Sequence, residues 1–145
     1  MEYTEAKRGR IFVARIDDGE DIIAELKNII IKENIKAALV QLIGASSKSK
    51  AVLGPHKKEY PPNPYWWEFD DAREILATGI MAWDEDEPKL HLHSGIGHHN
   101  EAKIGCIRTE STVYITIEAV IQEIIAPGLS RKPDERYNAS LLSLK

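Results

Sequence analysis

The chain has 145 residues, 43% hydrophobic and 29% charged, with a formal net charge of −4 and a pI near 5.7. That length fits a single domain over residues 1–145, and the composition excludes disordered and fibrous classes. The acidic balance argues against a surface devoted to phosphate backbones, because non-specific nucleic-acid affinity comes mainly from Lys and Arg.

Residues Met1–Glu5 are polar and acidic, without the apolar run of a signal sequence. No apolar stretch approaches the roughly 20 residues that span a bilayer, so no membrane association is expected. One cysteine, Cys106, leaves no intrachain disulfide and points to a reducing, cytoplasmic setting.

In chain order, Arg10–Ile16 alternates as a strand, with Ile11 and Val13 opposite Phe12, Ala14 and Ile16. Asp17 and Asp18 offer an N-cap, and Glu20 and Asp21 suit a first turn. Ile22, Ile23, Leu26, Ile29 and Ile30 form one apolar stripe, predicting the main helix over about residues 19–33. Lys32 and Asn34 suit its end.

Ala37–Gly44 and Ala51–Gly54 read as two strands. Pro61, Pro62 and Pro64 make Pro55–Trp67 a loop or extended cover carrying Tyr60, Tyr65, Trp66 and Trp67, suited to covering a core or a neighbouring subunit. Strands follow at Glu74–Trp83, Leu90–Gly95 and Lys103–Arg108, with an acidic turn over Asp84–Pro88. Thr112–Ile125 is a β-branched strand with Val113, Ile115, Ile117, Ala119 and Ile121 on one face. Ser130–Lys145 reads as a tail, polar and then apolar at Leu141, Leu142 and Leu144. One early helix followed by many strands predicts an α+β fold with a mostly antiparallel sheet.

The residues best suited to chemistry are His91 and His93. Two positions apart on a strand, their imidazoles share a face while Leu90 and Leu92 face the core. Two adjacent imidazoles suit zinc or a similar divalent ion. Cys106, in the next strand-like segment, is the expected third ligand, with His98 and His99 as rivals. Two His and one Cys would leave a position open for water or a small-molecule ligand. Glu118 is a candidate further site residue, as an added ligand or a general base, set against an ordinary solvated or interface carboxylate. Arg15 could bind a carboxylate or form an ion pair. Arg8-Gly9-Arg10 departs from a minor-groove hook at Ile11, and Lys48, Lys50, Lys57 and Lys58 form a modest basic cluster.

Taken together, Arg15-Ile16-Asp17-Asp18-Gly19-Glu20-Asp21, Ile43-Gly44-Ala45, Glu74-Ile75-Leu76-Ala77-Thr78-Gly79 and Leu90-His91-Leu92-His93 resemble the plants-and-prokaryotes-conserved domain over nearly the whole chain. The resemblance implies a mixed, largely antiparallel sheet wrapped around one main helix, similar in fold to acetolactate decarboxylase, and assembly as a homotrimer. It also implies a zinc-like ion on the histidine pair, with cysteine in Ile104-Gly105-Cys106 standing where relatives have a third histidine. A thiolate there shifts preference toward softer ions. DNA binding or a regulatory role is the alternative implied by plant relatives, and no defined enzymatic reaction follows from either reading.

Overall fold

The computed structural model describes residues 1–145. Its elements are β1 (Lys7–Asp17), α1 (Ile22–Lys32), β2 (Ala37–Pro55), β3 (Pro64–Phe69), β4 (Arg73–Asp84), β5 (Glu87–His98), β6 (Glu101–Ile125), β7 (Ser130–Asp134) and β8 (Ala139–Ser143). The main sheet runs β1-β6-β5-β4-β2-β3, and β6 also pairs with β2. Strands β6, β5, β4 and β2 therefore close into a ring. Every pairing is antiparallel, so the expectation of a mixed sheet gives way to a wholly antiparallel one.

Helix α1 lays Ile22, Leu26 and Ile30 into the core, with Ile23 and Ile29 at the margins. The apolar stripe is the expected one, but the cap is Asp21 rather than Asp17 or Asp18. The Asp21 side chain accepts from Ala24 N at 2.7 Å and from Ser111 N at 2.9 Å, so it satisfies an orphan helix donor and ties the helix to β6. Asp18 instead accepts from Ile115 N at 2.7 Å. Asn34, at φ 53°, ends the helix in the left-handed conformation that Asn tolerates.

Strand β1 buries Ile16 and half-buries Phe12 and Ala14, leaving Ile11 and Val13 exposed, as the alternation predicts. The two strands expected between residues 37 and 54 are one. The polar run Ser46–Lys50 stays in the sheet because β2 shifts register against β6 there, and Ser46 Oγ donates within bonding reach of the Thr112 carbonyl at 2.8 Å. The segments expected at 103–108 and 112–125 likewise merge into β6. Ile115 leaves the expected buried row: it has φ 65° at the irregularity and is exposed, while Val113, Ile117, Ala119 and Ile121 face the core.

Two further segments differ from expectation. Tyr65, Trp66 and Trp67 lie in edge strand β3, paired with β2, rather than in a loop. Pro64 sits at its first position, where a missing N–H costs least. The tail folds as a β7–β8 hairpin, with Arg131 opposite Leu142. At Gly79 a Cβ would collide with the His91 carbonyl oxygen, so glycine here permits the close β4–β5 approach that seats the histidine strand.

No helix is long and apolar enough to cross a membrane.

Candidate metal centre

Residues directly opposite one another in an antiparallel pair share a face. On β5, Leu92 and Ile96 point inward and are buried, so His91 and His93 stand on the outer face. The register puts His93 opposite Thr78 of β4 on one side and Cys106 of β6 on the other. Cys106 is in turn opposite Val52 of β2, beside the point where the ring closes. The inner neighbours Leu92, Ile107 and Ala51 belong to the core, so the same register that packs them delivers Cys106 to the histidines.

The Nε2 atoms of His91 and His93 are 3.0 Å apart, and one ring nitrogen of each histidine and Cys106 Sγ lie within 4.8 Å of one another. Two imidazoles on one tetrahedral zinc, at ~2.05 Å each, require about 3.3 Å between nitrogens, and a nitrogen–sulfur pair about 3.5 Å. The histidine pair already has the needed spacing, and the thiol must close by about an ångström. Cys106 is 5% exposed, and its Sγ lies 3.9 Å from the Ile107 carbonyl, too long to hold it. The donor set of two imidazoles and one thiolate fits a borderline divalent ion.

Burial holds the His91 pKa below its ordinary 6.5, and the neighbouring positive charges of His93, Arg131 and Arg108 lower it further. The neutral imidazole that a metal requires is thus favoured at neutral pH.

The remaining sequence-derived residues separate from this cluster. His98 and His99 sit at the far end of β5 and its turn, where His98 Nε2 lies 3.9 Å from Asp71. Glu118 is on the outer face, but the row Glu118–Ile43–Leu76–Gly95 puts β2 and β4 between it and β5. Glu118 and His93 line one shallow apolar groove without meeting. Arg15, opposite Glu118 on edge strand β1, pairs with Asp17 at 2.7 Å, and both are exposed. Arg10 of the Arg-Gly-Arg segment is engaged by Glu123 at 2.9 Å and Glu33 at 3.4 Å. In the basic cluster, Lys50 is neutralised by Glu68 at 2.6 Å and lies over the Trp66 ring.

Arg131 and Arg108 escape notice in the sequence. Both line the groove that holds His91, His93 and Cys106, and Arg131 arrives there on the β7–β8 hairpin. The available signal was the run Asp134–Asn138 between two short extended segments, which is turn-forming material.

A closed antiparallel ring, one helix across its inner face and a His-x-His pair on its outer face define a compact class of α+β protein. The chain matches the Plants and Prokaryotes Conserved (PCC) domain over residues 3–125 and belongs to that family. No curated protein matches it. Among solved structures, it is similar to a plant- and prokaryote-conserved protein of Pyrococcus horikoshii, at 24% identity and TM-score 0.85, covering 100% of this chain and 99% of that one. A metal-containing protein of Archaeoglobus fulgidus is similar at 22% identity and TM-score 0.85, covering 99% of each chain. A protein of Bacteroides thetaiotaomicron, described as a candidate DNA-binding protein, is similar at 17% identity and TM-score 0.81, covering 96% of this chain and 97% of that one. At these identities the likeness establishes the fold.

Proposed function

We propose that this protein is a metal-binding member of its family, holding a zinc-like divalent ion with His91, His93 and Cys106. The observation that carries the reading is the 3.0 Å separation of the two Nε2 atoms, with Cys106 in register beside them. A relative of the same fold is a metal-containing protein, which supports it. Three protein ligands leave one position for water or a small molecule, and such an ion supplies Lewis-acid chemistry when bound. The test is metal analysis of protein purified without an affinity tag. The reading expects about one equivalent of metal per chain in the wild type and none in His91→Ala/His93→Ala. Equal, negligible metal in both would sink it.

The working form in this reading is a cytoplasmic homotrimer with an acetolactate-decarboxylase-like fold. Ile104, Leu76 and Ile43 expose 75%, 68% and 53% of their surface on the outer sheet face, apolar area that soluble monomers seldom leave uncovered. Light scattering should return three times the chain mass. A monomer would contradict this.

A DNA-binding or regulatory role is the second reading, favoured by the described role of the Bacteroides neighbour. It requires duplex affinity near 50 mM salt, where electrostatic binding is strongest. A flat titration there ends it.

A further inference from the structure

The β7–β8 hairpin carries a buried cation to the edge of the proposed metal site. Arg131 is 6% exposed. Its Nη1 donates to the Ser140 carbonyl and its Nη2 to the Ile80 carbonyl, each at 3.0 Å. Its Nε is buried without any hydrogen-bond partner. No carboxylate pairs with it: Asp84, whose charge reaches it, instead accepts from Ser140 Oγ at 2.7 Å. A buried guanidinium lacking a counter-ion, with its Nε unpartnered, is costly unless an anion meets its charge.

Its surroundings make the deficit larger. Ile80, whose carbonyl holds Arg131, lies opposite His91 in the sheet. Arg108 and Lys89 line the same open groove of about 890 Å³, a size usual for small-molecule sites. A divalent ion with one thiolate would add a further positive charge. The rest of the wall includes Leu39, Ile80, Leu141 and Leu142, with the two hairpin leucines exposed.

We propose that this groove binds a small organic carboxylate, its charge met by Arg131 and Arg108 beside the His91–His93–Cys106 centre and its apolar body laid against Ile80, Leu141 and Leu142. The inference rests on the metal reading only for part of the positive charge, since the uncompensated Arg131 charge and the apolar wall are present without an ion. Phosphate would satisfy the charge but leave the leucine wall exposed.

Calorimetry of the full chain with hexanoate, its neutral amide hexanamide and tail-less acetate tests this, with metal content measured on the same samples. Hexanoate should bind at least about tenfold more tightly than either control, since an added charge-assisted contact and several buried methylenes each exceed that factor. Arg131→Met should weaken hexanoate about tenfold and Arg108→Met about threefold, with no change for hexanamide. Because Arg131 also pins the hairpin, Arg108→Met and the wild-type ligand series decide the matter if Arg131→Met misfolds. Metal bound but hexanoate no better than hexanamide overturns the carboxylate site and leaves the metal reading standing. Arginine-dependent hexanoate binding without metal overturns the metal reading and leaves the carboxylate site standing.

Discussion

Strand β5 and the turn that follows it carry two pairs of histidines in different surroundings. His91 and His93 alternate in mid-strand, above buried Leu92 and beside a paired strand that supplies a thiol. His98 and His99 lie where the strand runs out into a turn, with His99 at φ 54° and an exposed Asp71 as the nearest acid partner of His98. The ring centroids are close in both, 4.9 Å and 4.1 Å, so proximity alone does not distinguish them. What distinguishes them is constraint: His93 is fixed by register on both sides and His91 by β4, whereas His98 pairs only with Glu101 at the strand's last position and His99 lies outside the ladder. A ligand set needs its donors held before the ion arrives, and only the first pair meets that condition.

Substitutions beneath the two pairs should separate them most. Leu92 is fully buried, so Leu92→Ala should cost about 3 kcal/mol in urea unfolding. Gly97→Ala, where an added Cβ meets only ordinary contact at 3.9 Å from Glu74 Cβ, should change stability by less than about 1 kcal/mol. Equal losses would show that the far end of β5 is as constrained as its middle.

At the ligands, His98→Ala/His99→Ala should retain the wild-type metal content, which chelator competition can measure, and Cys106→Ser should weaken affinity at least about tenfold because a hydroxyl replaces a thiolate. Retention of full affinity by Cys106→Ser would move the third ligand elsewhere.

The smallest effect concerns Glu87, at the start of β5. Lys27 at 2.7 Å, and then Lys89, hold its pKa at about 2 against an ordinary 4.5. The folded-state value is depressed, so the pair's contribution is present above pH 4.5 and is lost as pH falls from there toward 2. Glu87 is half exposed, and screening reduces the contribution to about 0.5 kcal/mol. Glu87→Gln should lower stability by that amount at neutral pH in low salt, and the difference from wild type should vanish near pH 2.

Period and spacing made part of this arrangement legible. The helix stripe Ile22–Ile30 and the inward row of β1 follow from repeats of 3.6 and 2, and the shared face of His91 and His93 follows from the strand period alone. Continuity was harder to read. The polar residues Ser46–Lys50 and Thr109–Ser111 look like breaks, yet strand bulges keep them in the ladder, so four expected segments are two long strands. The bulge at Ile115 flips one side chain outward, which no two-residue period anticipates. Glu118 shares a face with His93, but its distance across two intervening strands depends on sheet order, and order is not written in local pattern. Arg131 was hidden for the same reason: its partners are the Ile80 and Ser140 carbonyls, one of them 51 residues away.

The most direct test of the central claim is anomalous diffraction at the zinc edge from crystals of untagged protein. The account predicts one strong peak per chain about 2.0–2.1 Å from Nε2 of both His91 and His93 and about 2.3 Å from Cys106 Sγ. A peak at His98 and His99 instead, or none in crystals grown with added zinc, would contradict it.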